Sequence, residues 1–264
     1  MKRVISLVIY GIVCGIVFSL TFSLIAPSLV GMLSNVTALP SSLIEPLLFI
    51  ILLFEILFRF LDFLAFPSLK FIPTNPESCN FLDREQMDSY TIDLERLGFM
   101  QLMDYSWSSN QAFSRFLVHP QQYCFAEIVQ LKNKPIFYTI DSHLTQNWLL
   151  SIMTHKPSSA SYVLALTPRH LIKYVISIEN YSPSFIFQSL LQWREQVMSD
   201  LKIDLVENLT IEYHLEGQHQ IRKEQKRALL KRSVIVARIK MLIFSLNPKT
   251  EWLGDYEKSR KKLQ

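Results

Sequence analysis

With 264 residues and a net charge of +4, the chain has room for a membrane hairpin plus one soluble domain of ordinary size. Its 49% hydrophobic content, concentrated in the first 66 residues, is high for a wholly soluble protein. Three widely spaced cysteines, Cys14, Cys79 and Cys124, exclude a disulfide framework and a CxxC metal knuckle, and they fit a reducing compartment. The charge is uneven: residues 217–264 hold 13 Lys/Arg against 4 Asp/Glu, or +9, which leaves 14 against 19, or −5, for the rest.

In chain order, the first predicted element is an apolar helix over residues 4–26. It holds no charged side chain and, at about 1.5 Å per residue, exceeds the ~30 Å thickness of bilayer hydrocarbon. Its apolar length is greater than the roughly 7–15 residues of a signal-peptide core, so it reads as an uncleaved span. Gly11, Gly15, Ser19 and Ser23 recur every four residues and form a ridge of small side chains, the feature that lets helix backbones approach closely in lipid. The ridge would accept either the chain's own next helix or a second copy of the chain.

A second apolar segment follows over 43–62, interrupted by Glu45, Glu55, Arg59 and Asp62. Glu55 and Arg59 are four apart and Arg59 and Asp62 three apart, so the three share a helix face and can neutralise one another at headgroup level. Lys2, Arg3, Arg59 and Lys70 flank one side of the pair of spans and the connecting stretch has none. The positive-inside rule then places both termini, and the domain after the spans, in the cytoplasm, so the sequons at Asn180 and Asn208 are on the wrong side and that at Asn35 is too close to the bilayer to carry meaning.

Pro67, Pro73 and Pro76 mark residues 67–79 as a linker. A helix is predicted over 83–97, with Gly98 in the C′ position. Strands are predicted over 99–105, 113–118, 123–131, 136–141 and 147–153, joined by short polar turns that favour antiparallel pairing. Thr167-Pro168 and Ser182-Pro183 each place an N-cap residue before proline, which predicts helices over 168–178 and 183–200. A longer helical region is expected over 207–245, with a break at Gly217.

The expected fold class is α+β, with a two-helix transmembrane hairpin over 1–66, a linker over 67–79, and a soluble domain over 80–264. That domain combines an antiparallel sheet, flanking helices and a basic C-terminal helical region.

Beyond Gly31 the glycines are Gly98, Gly217 and Gly254, too scattered for a phosphate-cradling loop, and no GxSxG, HExxH or EF-hand pattern occurs. No cofactor, metal ligand set or catalytic residue is therefore assigned. His119 and Cys124 could form a base and thiol pair, but Cys124 reads as a small apolar residue facing into a sheet. Asp141 and His143 read as a surface turn at a strand end, and His214 and His219 are five apart, off the i, i+4 spacing of helical metal ligands. Glu127, with Phe125 and Val129 at i±2, is a candidate buried carboxylate with a raised pKa, although a sheet edge or a lysine partner is the commoner situation.

Arg222, Lys223, Lys226, Arg227, Lys231 and Arg232 precede an apolar run, 234–246, that contains Arg238 and Lys240. These basic residues are expected to be solvated or to meet anionic lipid headgroups. The scarcity of interleaved aromatics disfavours nucleic acid. The resulting expectation is a non-enzymatic, two-pass integral membrane protein that presents its domain to lipid or a protein partner at the cytoplasmic face. The alternatives are a membrane-tethered enzyme with its site in the β-rich region and an accessory subunit of a transport complex.

Overall fold

The computed structural model describes residues 28, 30–31, 33, 40–65, 71–107, 112–155, 162–175, 182–246 and 250–264. Two compact units are present, residues 1–64 and 65–264.

In the first unit, helix α1 (Ser41–Ala65) contains Pro46 in its second turn, where the missing N–H forgoes one i→i−4 backbone hydrogen bond. Arg59 Nη2 lies 2.8 Å from Glu55 Oε1. Among the described residues no helix is long and apolar enough to cross a membrane. The physical reason is charge spacing: the longest uncharged run between Glu45 and Asp62 is 46–54, far below the roughly 20 apolar residues that a crossing requires. This overturns the transmembrane hairpin as part of the fold class. The two-pass, membrane-anchored function and the integral-membrane placement with cytoplasmic termini, both of which depended on the hairpin, fall with it. The span at 4–26 and its ridge of Gly11, Gly15, Ser19 and Ser23 lie outside the described residues.

The second unit is α+β. Strands β1 (Phe71–Pro73), β2 (Met100–Trp107), β3 (Ala112–His119), β4 (Cys124–Leu131), β5 (Phe137–Leu144), β6 (Trp148–Met153), β7 (His170–Tyr174) and β8 (Glu251–Trp252) form one sheet in chain order. Every neighbouring pair is antiparallel except β6 and β7. The sheet is mixed, because residues 154–169 supply the dozen or more that a parallel crossover needs. β1 lies within the expected linker; Pro73 is accommodated because β1 is an edge strand and the proline closes it.

Side chains alternate between the two faces of each strand. One face is apolar, with Phe113, Leu117, Ala126, Ile128, Ile140, Leu150 and Leu171 buried in a common core. Helices α2 (Arg84–Arg96) and α3 (Pro183–Leu201) supply Met87, Leu94, Leu190 and Val197 to that core, and α6 (Tyr256–Leu263) adds Tyr256. α2 is capped by Asp83, whose side chain accepts from Gln86 N, and it ends before Gly98 at φ +99°. α3 begins at Ser182, which accepts from Phe185 N, with Pro183 in the first turn.

The opposite face is covered by α4 (Ile211–Lys231), and α5 (Val234–Leu246) follows after a break at Arg232-Ser233. Gly217 does not break the helix. A Cβ there would meet His143 Cε1 at 3.6 Å, an ordinary contact, and a single interior glycine costs only about 1 kcal/mol.

The helix predicted over 168–178 is instead a turn followed by β7. The Pro168 carbonyl, which would accept a bond within such a helix, accepts Asp255 N at 2.8 Å. Gly254 makes that approach possible with φ +48°, and a Cβ on it would lie 2.3 Å from Pro168 O. Gly254→Ala is therefore expected to destabilise the domain by about 1–3 kcal/mol, read as a lower urea midpoint. An unchanged midpoint would show that this junction is soft.

Candidate functional site

Strand register places an unusual set of polar side chains on the face beneath α4. Phe116, Glu127 and Thr139 stand in one lateral row, Phe125, Asp141 and Ser151 in the next, and His143, Leu149 and His170 in the third. Tyr105 and Ser114 are cross-strand partners on the same face. From α4, His214 packs its ring 4.2 Å from Phe116 and 5.2 Å from Phe125, and Tyr213 lies 5.6 Å from His143.

Glu127 sits in a central strand, and burial raises its pKa. Tyr105 donates its hydroxyl to Glu127 Oε1 at 2.7 Å and favours the charged form, against that burial. The partner is thus a phenol, neither a lysine nor solvent at a sheet edge.

Asp141 and His143 are not in a turn, because β5 continues to Leu144 and buries both. Burial pushes the Asp141 carboxyl up to about 7, the charge of Glu127 adds to the rise, and the Ser151 hydroxyl opposes it. Asp141 Oδ1 has no hydrogen-bond partner among the described residues.

The histidines respond in the opposite direction. Burial lowers His143 to about 4 and His214 to about 3, with His143 adding to the depression of His214. His143 Nε2 and both His214 ring nitrogens have no hydrogen-bond partner among the described residues. These two rings are therefore neutral members of an aromatic cluster with Phe116, Phe125 and Tyr213.

His170 is different because it reaches a cavity. Its Nε2 lies 2.9 Å from Ser151 Oγ, and Ser151 stands opposite Asp141 across β5 and β6. Burial, with a smaller contribution from His143, lowers His170 to about 4, so the ring is neutral at physiological pH. The cavity, of about 210 Å³, is lined by Asn147, Thr167, Arg169 and His170 from the sheet side and by Ile221 and Glu224 from α4. The Arg169 guanidinium is 6.0 Å from the Trp148 ring, and Gln220 Nε2 donates to Glu224 Oε1 at 3.3 Å. One cationic and one anionic side chain thus flank an oriented neutral imidazole.

The pairs singled out in the sequence do not form catalytic centres. Gln122 N donates to His119 Nδ1 at 3.2 Å, which assigns the proton to Nε2, 3.0 Å from Leu97 O; both nitrogens are committed to the backbone. Burial pushes the Cys124 thiol up to about 11 despite Arg194 Nη1 at 3.4 Å, so it is a poor nucleophile. His219 packs edge-on against Phe71 at 5.7 Å, separate from the His214 cluster. Among the described residues no three His, Cys, Asp or Glu side chains are grouped to hold a metal ion.

Of the basic set, Arg222 is half-buried and its Nη1 donates to Gln225 Oε1 at 3.4 Å. Lys223, Lys226 and Arg227 are exposed on α4, and Lys231 and Arg232 are exposed where α4 meets α5. Sequence reasoning missed Ser151 and His170 altogether. The readable signal was alternation, since Leu149, Ser151 and Met153 share a face, but His170 lay inside a predicted helix. No family model matches the chain, and neither a curated protein nor a solved structure matches it.

Proposed function

We propose that the sheet domain binds a small zwitterionic molecule of amino-acid size in the cavity between the β6–β7 ends and α4. The observation that carries this reading is His170, which lines the cavity while Ser151 Oγ holds its Nε2 at 2.9 Å. An imidazole kept neutral and fixed in orientation is a hydrogen-bonding and proton-exchanging group for a ligand. Glu224 offers a partner for an ammonium group and Arg169 one for a carboxylate, and Asn147 adds a neutral donor and acceptor. At about 210 Å³ the cavity is below the ~300–1,000 Å³ of drug-sized sites, which restricts the ligand to a few heavy atoms beyond the amino-acid core.

Saturation-transfer NMR of the full chain against the standard amino acids tests the proposal. At least one should give a saturable signal that is lost in His170→Phe and weakened in Ser151→Ala, with both variants retaining the wild-type circular dichroism spectrum. No saturable signal from any amino acid, or equal signals in His170→Phe, would overturn it.

A further inference from the structure

A separate surface is formed by α5. One side of this helix packs inward: Val234 and Met241 are fully buried, Ala237 nearly so, and Phe244 meets Tyr174 and Trp252 at 6.0 and 5.3 Å. A helix of a globular domain normally turns polar residues outward. α5 instead exposes Val236, Ile239, Leu242, Ile243 and Leu246, with Ile243 61% and Leu246 75% exposed. At 100° per residue these five occupy an arc of roughly 120°, bordered by Lys240 on one side and Arg238 on the other. Lys231 and Arg232 are exposed just before the helix begins. From Gln225 to Thr250 the chain has seven Lys/Arg and no Asp or Glu.

We infer that the outer face of α5 seats on an anionic lipid surface, lying in the headgroup plane without crossing it. An apolar arc that enters the acyl boundary while cationic side chains at its margins reach the headgroups is the arrangement of an interfacial helix. A cation at each border of the arc and a stretch with no acidic residue match a planar anionic partner. An acidic groove on another protein is the competing occupant.

Flotation of the full chain with phosphatidylcholine vesicles, with and without phosphatidylserine, distinguishes them. Any uptake through the apolar residues of α1 is common to both compositions. Recovery should be several-fold higher with phosphatidylserine. Lys231→Glu and Lys240→Glu should each lower affinity for the anionic vesicles at least about fivefold and leave recovery on neutral vesicles unchanged. Ile243→Asp, at an exposed position, should remove the anionic excess without altering the urea midpoint. Equal recovery on the two compositions, or unaltered flotation of the three variants, would overturn the inference. So would retention on a polyglutamate matrix without any anionic-vesicle excess, which would favour the acidic protein groove.

Discussion

Acid is expected to destabilise the sheet domain steeply between about pH 6.5 and pH 4. His143, His170 and His214 titrate near 6.5 when unfolded but are held down to about 4, 4 and 3 in the fold. A depressed folded pKa confers stability that is present above the unfolded value and lost as pH falls toward the folded one. Asp141 acts with the opposite sign. Raised from 3.8 to about 7, it favours folding at low pH, and that contribution is lost as pH rises through 7. Glu127, also raised, works in the same direction as Asp141.

Near pH 5 the unfolded chain binds about three protons on the histidines, while the fold binds one to two on the carboxyls. The net one to two protons give a slope of about 1–3 kcal/mol per pH unit. Urea midpoints measured from pH 4.5 to 8 read this directly. His214→Phe keeps an aromatic ring where neither nitrogen has a hydrogen-bond partner among the described residues, so it should flatten the acid limb and raise stability at pH 5. An acid limb as steep in His214→Phe as in the wild type would refute the assignment.

Arg115→Ala should cost about 3–5 kcal/mol, the usual consequence of leaving one member of a buried ion pair alone. Arg115 Nε and Nη2 each lie 3.0 Å from a carboxylate oxygen of Asp104, and both side chains are only 10% exposed. Its Nη1 reaches Asp88 at 2.9 Å and Thr91 Oγ1 at 3.0 Å, which ties the sheet to α2. The fork geometry is specific to guanidinium, so Arg115→Lys should recover little of the loss. Pairing Arg115→Met with Asp104→Leu should recover most of it, because no buried charge is then left unmatched. Chemical unfolding of Arg115→Ala, Arg115→Lys, the double variant and its two single components checks the series, and additive losses in the double variant would show that the pair is not coupled.

Local signals in the chain were sufficient for α2, α3 and strands β2 to β6, where alternation and capping residues act within a few positions. They failed where a distant segment decided the outcome. The Thr167-Pro168 pair has the chemistry of a helix start, but the Pro168 carbonyl is taken by Asp255, nearly ninety residues later. β1 was hidden by Pro73, since only the strand's place at the sheet edge makes that proline tolerable. For the site, Glu127 was legible from its apolar neighbours at i±2. Asp141 and His143 were not, because a polar run in a strand resembles a turn until an aromatic helix face is known to cover it. The two apolar N-terminal segments implied membrane crossing through hydropathy averaged over length, whereas in α1 the spacing of the charges is the deciding quantity.

The chain-order arrangement of the sheet also bears on how quickly it can assemble. From β2 through β6 each strand pairs with its immediate predecessor, so those pairings close short loops and need little search. The β6–β7 pair closes over residues 154–169, and β8 must return from beyond residue 250. The cavity around His170 lies at that long-range end, and α4 must also dock before it exists. Its walls, residues 147–170 and 221–224, come together only through long-range contacts, so the cavity is a feature of the folded domain and of no shorter segment.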